Sequence, residues 1–95
     1  TLVINNRGGG IFSFLPVKNI ENQDSFQKFF TNPQEWNLQG IAQTFDLKYV
    51  QAKTKEDLLQ ALHQNQSTLI EIKSDIDTNV CNHRALTEKI KKLLE

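Results

Sequence analysis

The chain has 95 residues, of which 38% are hydrophobic and 23% charged, a composition typical of one small globular domain rather than of a disordered or fibrous protein. Its 11 basic residues balance 11 acidic ones, so no net charge favours binding to nucleic acid or to an anionic membrane. No apolar run approaches the roughly 18 residues that span a bilayer, and we expect no membrane span.

The ends and the cysteine content bear on where the protein works. The chain contains no methionine and begins on an apolar run, which we expect of a segment cut from a longer chain. It shows no basic-then-apolar signal pattern. Its single cysteine, Cys81, cannot form an internal disulfide and fits a reducing compartment. We therefore expect a cytoplasmic protein, or a plastid one if the source is a plant.

The first residues predict a strand that ends in a polar loop. Residues 2–4 are apolar with β-branched members, which favours a buried strand, most naturally a central strand of a parallel sheet. Residues 5–10 carry asparagine and glycine and predict a loop. Residues 11–15 are apolar and precede Pro16, so we expect about one or two helical turns there.

Two helices are predicted in the next part of the chain. Asp24 or Ser25 is a candidate N-cap for a short helix that Asn32 and Pro33 end. That helix carries three aromatic residues at helical spacing: Phe26, Phe29 and Phe30. A second, amphipathic helix is marked by Leu38, Ile41, Ala42 and Phe45, whose apolar stripe should pack on the sheet.

Two further strands alternate with helices towards the end of the chain. Residues 48–52 alternate as an edge or half-buried strand would, and residues 67–73 predict a third strand. Between them, Thr54 and Asp57 resemble a capping box. The helix that this box opens has as its predicted apolar face Leu58, Leu59 and Leu62.

The last segment predicts a closing amphipathic helix. Asp77 or Thr78 is its candidate N-cap, and its apolar residues are Leu86, Ile90, Leu93 and Leu94. The element order β-α-α-β-α-β-α predicts an open α/β sheet. Because ligands bind at the carboxyl ends of strands in such sheets, the loop of residues 5–10 becomes the candidate site.

The chemistry of this loop suits a metal ion and a phosphate. Two asparagines and three glycines at a strand end offer amide oxygens, backbone carbonyls and free N–H groups. Magnesium prefers hard oxygen ligands, and a helix N-terminus attracts phosphate. The alternative is an ordinary turn, which composition alone favours because asparagine and glycine are the usual turn residues.

The full string NNRGGGIFSFLP at residues 5–16 closely resembles the MenD family of 2-succinyl-5-enolpyruvyl-6-hydroxy-3-cyclohexene-1-carboxylate synthases, thiamine-diphosphate enzymes of menaquinone and phylloquinone biosynthesis. A looser resemblance runs through NLQGIAQTFDLKY, STLIEI and NVCNHRAL, so it covers most of the chain. It implies an α/β fold in which residues 1–95 form the C-terminal part of the thiamine-diphosphate-binding domain. That part is a partial three-layer parallel sheet with flanking helices, and the N-terminal part of the domain is absent.

The resemblance also implies roles for individual residues. Asn6 would give its side-chain oxygen, and Gly8 its backbone carbonyl, to the Mg²⁺ that bridges to the thiamine diphosphate, with Mn²⁺ as a second candidate metal. The family's aspartate ligand, in a Gly-Asp-Gly triplet, would lie before Thr1. The cofactor-binding residues would be Asn6, Gly8, Gly9, Gly10 and Ile11. Arg7 departs from the family string and receives no role.

An apolar wall beside the cofactor and the substrate is implied for Ile11, Phe12 and Leu15, with core packing as the alternative, above all for Leu15. Related simple decarboxylases carry an acidic residue where Phe12 stands, so an apolar residue there fits carbon–carbon bond formation. The family decarboxylates 2-oxoglutarate and adds the product to isochorismate. The whole protein would be a homo-oligomer, a dimer or tetramer.

By this resemblance the 95-residue chain alone is expected to be inactive and to hold no catalytic residue, because the aspartate of the Gly-Asp-Gly triplet, the pyrimidine-binding domain and the family's activating glutamate all lie outside it. Two other functions stay open. One is a different thiamine-diphosphate enzyme, of the acetolactate synthase or decarboxylase type, and the other is a non-catalytic α/β interaction module.

Other residues favour structural roles. Cys81 and His83 lack a second pair of ligands, and His63 lies on a separate predicted helix, so a metal cluster is disfavoured. A Cys-His nucleophilic pair is rejected because a spacing of two on a helix points the side chains apart. Trp36 and the three phenylalanines at 26, 29 and 30 are expected in a core or an interface.

Overall fold

The computed structural model describes residues 1–95 and contains a three-stranded parallel sheet in the order β1-β3-β2. The strands are β1 (Leu2–Asn5), β2 (Lys48–Gln51) and β3 (Thr68–Lys73). In the register, Ile4 lies opposite Ile72, and Val50 lies opposite Ile70. A parallel sheet flanked by helices confirms the predicted α/β class.

The helices follow the predicted order with one addition. They are α1 (Val17–Ile20), α2 (Gln23–Phe26), α3 (Leu38–Thr44), α4 (Lys55–Leu62) and α5 (Ile76–Leu94), with a 3-10 helix over Ile11–Phe14 and a π-helix over Gln27–Thr31. The added element is α1, which lies in a mixed polar stretch where the sequence predicted none. None of the helices combines the length and apolar character that crossing a membrane requires.

The chain forms two compact units, and the first contains the sheet. This unit comprises Thr1–Arg7 and Gln34–Lys73. Its core is built from small and branched side chains on β2, β3 and α4 and in the segment after β2: Ala52, Ala61 and Ile70 are buried, and Val50, Leu58 and Ile72 pack against them. The capping box that opens α4 is confirmed, because the Thr54 side chain accepts from the Asp57 N–H and the Asp57 side chain accepts from the Thr54 N–H.

The second unit comprises Gly8–Pro33 and Ser74–Glu95. Phe26 is buried in it and stacks on Phe30, with ring centroids 5.5 Å apart. Phe12 meets the same Phe30 ring edge-on at 5.2 Å. The aromatic residues of the predicted short helix therefore do form a packed cluster, except Phe29, which is exposed.

Within residues 1–95 the first strand does not lie at the centre of the sheet, where it was predicted. β1 lies at one edge of the three-stranded sheet, and its Leu2 and Ile4 side chains are 49% and 69% exposed. The central strand is β3, where Leu69 and Ile70 are buried. An apolar run of β-branched residues does not distinguish a central strand from an edge strand, because both can be apolar.

Two predicted helix starts were also displaced. Helix α2 is capped by Asn22, whose side chain accepts from the Asp24 N–H, and α5 is capped by Asp75, whose side chain accepts from the Thr78 N–H. The sequence had pointed to Asp24 or Ser25 and to Asp77 or Thr78. Each of these stretches holds several residues able to cap, and the structure uses one that precedes the predicted residues.

Some predicted apolar faces differ from the structure as well. On α4 the buried side is formed by Leu58 and Ala61, whereas Leu59 and Leu62 are 45% and 57% exposed. Phe45, expected against the sheet, follows the end of α3 and is 71% exposed. On α5 the buried apolar residue is Val80. The four apolar residues that the sequence analysis placed on this helix are exposed: Leu86, Ile90, Leu93 and Leu94.

Candidate functional site

The candidate site begins at the carboxyl end of β1 with Asn5, the last residue of the strand. Its side-chain Oδ1 accepts a hydrogen bond from the Arg7 N–H at 3.0 Å, an Asx turn. Its Nδ2 donates to Oε2 of Glu71 at 2.7 Å. The first asparagine of the pair is thus held at both ends of its amide by protein groups. The second, Asn6, is half-buried.

Arg7 has a backbone conformation that is uncommon for its residue type. Its φ of 61° lies in the left-handed region, which costs free energy for a residue with a Cβ. The Asn5 side chain holds its N–H, and its carbonyl accepts from the Gln34 N–H at 2.8 Å. Its guanidinium pairs with Glu35 at 3.3 Å, but both side chains are exposed, so the pair stabilises the turn little.

Gly8 lies where any larger residue would collide with the backbone. A Cβ placed on it would come 2.8 Å from the carbonyl oxygen and 2.9 Å from Cγ2 of Thr31. The neighbouring Gly9 donates its N–H to that same Thr31 oxygen at 2.8 Å, yet a Cβ on Gly9 would have 3.7 Å of room. The close approach of the chain to Thr31 therefore requires glycine at position 8, whereas position 9 has room for a Cβ.

The glycine run leads into the 3-10 helix. Gly10 is its N-cap residue, and the Gly10 carbonyl accepts from the Ser13 N–H at 3.1 Å. Ser13 is 2% exposed, whereas Ile11, Phe12 and Leu15 are 73%, 40% and 47% exposed. The three residues predicted as an apolar wall thus lie on the surface of this chain, and Leu15 is not in its core.

A buried carboxylate lies beside the turn of residues 5–7, and the sequence analysis did not identify it. Glu71 on β3 is 3% exposed, and its two oxygens accept from Asn5 Nδ2 and, at 2.5 Å, from the Tyr49 hydroxyl. Burial raises the pKa of Glu71, but the hydrogen bonds from Tyr49 and Asn5 and the charge of Lys73 together lower it by more. The pKa of Glu71 therefore lies below its ordinary value.

The same interaction acts in the opposite direction on Tyr49. Burial, the bond to Glu71 and its negative charge raise the Tyr49 pKa to about 12. Both groups therefore keep their neutral-pH forms, a carboxylate and a phenol that donates to it. The one signal in the sequence was an acidic residue inside an otherwise apolar strand run, LIEI, a position that is normally filled by an apolar side chain.

The donor groups in the predicted loop fit magnesium in kind. Asn6 carries an amide oxygen and Gly8 a backbone carbonyl, both hard ligands, and Mg²⁺ completes its octahedron with carboxylates, waters and phosphate oxygens. In residues 1–95, no three His, Cys, Asp or Glu side chains are grouped to hold a metal ion.

The remaining candidates lie apart from this chemistry. Cys81 is exposed, and the His83 ring meets Phe14 edge-on at 5.5 Å. Trp36 is 66% exposed and donates its indole N–H to Gln34 Oε1 at 3.1 Å, so it is not a core residue of this chain.

Comparison with known proteins identifies relatives along nearly the whole chain, although no family model matches it. A protein of Chlorobium chlorochromatii named 2-succinyl-5-enolpyruvyl-6-hydroxy-3-cyclohexene-1-carboxylate synthase is 38% identical over 97% of the chain. Proteins of the same name from Chlorobaculum parvum and Chlorobium phaeovibrioides are 37% and 41% identical over 99% and 94% of it.

The chain spans only 16% of the length of these relatives. Identity at this level, over 94–99% of the chain, confirms the family that the string NNRGGGIFSFLP indicated. The chain belongs to the 2-succinyl-5-enolpyruvyl-6-hydroxy-3-cyclohexene-1-carboxylate synthase family, the MenD family, and corresponds to a segment of its members.

Proposed function

We propose that the chain is the C-terminal part of the thiamine-diphosphate-binding domain of an enzyme that decarboxylates 2-oxoglutarate and joins the remaining carbon unit to isochorismate. The observation that carries this proposal is the identity of 36–41% to proteins named as that synthase, over nearly all of the chain. The position of the asparagine pair at the carboxyl end of a parallel strand supports it, because ligands of α/β sheets bind there.

Within this function, Asn6 and Gly8 have the role of metal ligands. The Asn6 side-chain oxygen and the Gly8 carbonyl would hold Mg²⁺, or Mn²⁺ in its place. Gly9, Gly10 and Ile11 would contact the cofactor, with Ile11 beside its reactive end. Thiamine diphosphate, when bound, supplies the electron sink that decarboxylation needs.

The exposed apolar residues suit the second half of the reaction. Ile11, Phe12 and Leu15 are all exposed in this chain, and apolar side chains in that position exclude water from the reacting carbon. Water must be excluded because protonation of that carbon competes with formation of the carbon–carbon bond. An acidic side chain at Phe12 would supply the competing proton.

Both proposed substrates are anionic, and this stretch contributes little positive charge. Arg7 is the only charged residue between positions 5 and 16, and its guanidinium is paired with Glu35. The groups that bind the substrate carboxylates therefore come from other parts of a longer protein or from a partner subunit of a homo-oligomer. For the same reason the 95-residue chain alone is inactive.

The test is an assay of the complete protein that carries this segment, supplied with 2-oxoglutarate, isochorismate, thiamine diphosphate and Mg²⁺. We expect isochorismate to be consumed only when all four are present, and Asn6→Ala to raise the Mg²⁺ requirement at least about tenfold. Asn65→Ala, at an exposed position outside the helices and strands, is the matched control and should behave as wild type. Pyruvate turnover without isochorismate consumption would instead identify another thiamine-diphosphate enzyme. Turnover of neither substrate, with or without thiamine diphosphate, would favour an interaction module.

A further inference from the structure

The buried carboxylate of Glu71 connects all three strands through side-chain hydrogen bonds. Glu71 lies on the central strand, Asn5 on β1 and Tyr49 on β2. Asn5 pairs with Lys73 and Tyr49 with Leu69, each two positions from Glu71. Because side chains two apart on a strand share a face, the three polar groups meet on one face of the sheet.

A buried carboxylate is costly unless donors satisfy it. Here each oxygen has its own donor, Asn5 Nδ2 at 2.7 Å and the Tyr49 hydroxyl at 2.5 Å. No buried side-chain nitrogen or oxygen in residues 1–95 lacks a hydrogen-bond partner. An apolar residue at this position would avoid the desolvation cost altogether, so the acid calls for an explanation beyond the stability of the sheet.

The hydrogen bonds of Asn5 provide that explanation. Its amide is planar, so a carboxylate that holds Nδ2 also fixes the direction of Oδ1. The orientation of the amide is determined by its partners, since a carboxylate accepts only from the N–H side and the Arg7 N–H needs the oxygen. Glu71 therefore acts through Asn5 on the backbone of Arg7, whose left-handed φ of 61° needs support.

We propose that Glu71 is a positioning residue: it orients Asn5, and through Asn5 it sets the backbone of the Asn turn (residues 5–7) that presents Asn6 as a metal ligand. Asn6 lies between the two residues that the hydrogen bonds hold. The consequence for the metal rests on the proposed function, whereas the effect on the turn does not. Tyr49 satisfies the other carboxylate oxygen and so keeps Glu71 in place.

The test uses the complete protein and two measurements. The first is hydrogen exchange of the Arg7 amide without cofactor, relative to the amide of Ile70 on β3. The second is the Mg²⁺ concentration that gives half-maximal binding of thiamine diphosphate. Glu71→Leu fills the same space without an acceptor. We expect it to accelerate Arg7 exchange relative to Ile70 about tenfold or more. We also expect it to raise the Mg²⁺ requirement about tenfold, the lower end of the loss in metal affinity when a group that orients a metal ligand is replaced.

Three variants separate positioning from simple destabilisation. Glu71→Gln keeps an oxygen for Asn5 and turns an N–H towards the Tyr49 oxygen, so it should stay close to wild type in both measurements. Leu69→Ala weakens the same strand at a buried side chain without touching Asn5 and should leave relative Arg7 exchange unchanged. Because the bonds act in series, Asn5→Ala combined with Glu71→Leu should have no larger effect than Asn5→Ala alone.

Several results would overturn the positioning role. One is an Arg7 exchange rate, relative to Ile70, that is equal in wild type and Glu71→Leu. Another is an acceleration of relative Arg7 exchange in Leu69→Ala as large as that in Glu71→Leu. A third is an acceleration in the double variant that equals the product of the accelerations in Asn5→Ala and Glu71→Leu. If Glu71→Leu does not fold, Asn5→Ala against wild type still tests whether the Asn5 side chain holds Arg7. Absence of Mg²⁺-dependent cofactor binding in wild type would refute the proposed function instead. The exchange data would then still test whether Glu71 holds the backbone of residues 5–7.

Discussion

Substitution of the first two glycines of the loop tests the geometry of the candidate site most directly. Gly8→Ala places a methyl group 2.8 Å from the Thr31 carbonyl oxygen, closer than real Cβ contacts come. Gly9→Ala places one 3.7 Å from the Phe30 and Thr31 oxygens, an ordinary van der Waals distance. Neither glycine has a positive φ, so alanine meets no backbone strain at either position. The pair therefore differs only in available space.

The expected magnitudes follow from this difference. Alanine in place of glycine restricts the unfolded chain and stabilises by about 0.4–1 kcal/mol where the native backbone accepts it. Overpacking against a neighbour that cannot move aside costs about 1–3 kcal/mol, and here the obstacle is backbone. Gly9→Ala should raise the free energy of unfolding slightly, whereas Gly8→Ala should lower it. The unfolded-state contribution cancels between them, so they should differ by about 1–3 kcal/mol.

Urea unfolding of wild type and both variants at neutral pH measures this difference. Exchange of the Gly9 amide is a second reading, because its hydrogen bond to the Thr31 carbonyl, 2.8 Å long, must lengthen if Thr31 moves away from a methyl group on residue 8. Equal stability of the two variants, or a more stable Gly8→Ala protein, would refute the reasoning that close approach to Thr31 requires glycine at position 8.

Two further predictions concern the caps of helices and the response to acid. Thr54→Ala should cost about 1 kcal/mol in urea unfolding, since it removes the acceptor of the Asp57 N–H, whereas Thr87→Ala, inside the exposed part of α5, should change stability by less than about 0.5 kcal/mol. Similar losses in both would mean that the capping box contributes nothing specific.

The backbone N–H groups of Lys53 and Thr54 lower the pKa of Asp57 from its usual 3.8, and those of Thr78 and Asp77, with the Thr78 hydroxyl, lower that of Asp75. A depressed folded-state pKa stabilises the protein above the unfolded value, and this contribution is lost as pH falls through the folded value. The urea midpoint should therefore drop on acidification below pH 3.8, and Asp57→Asn should flatten that drop in titrations down to about pH 2. An unchanged acid limb in Asp57→Asn would contradict the assignment.

The family and the order of elements could be predicted from the sequence because both depend on short stretches. The three strands, the capping box and the turn before Pro16 are each encoded by neighbouring residues, and the string at residues 5–16 identified the family that the relatives then confirmed. The errors arose where neighbouring residues offered equivalent choices. Asn22 capped α2 in place of Asp24 or Ser25, and Asp75 capped α5 in place of Asp77 or Thr78.

The tertiary structure alone decided the partners of the candidate site. Glu71 meets Asn5 across 66 positions and Tyr49 across 22, and Gly8 meets Thr31 through a turn of the chain. Spacing and periodicity describe only contacts within a few residues, whereas the pairing of parallel strands and the path of the loop bring these distant groups together. The sequence by itself therefore determined the fold class, the family and the asparagine pair, and the packing of β1 on β3 determined what holds that pair in place.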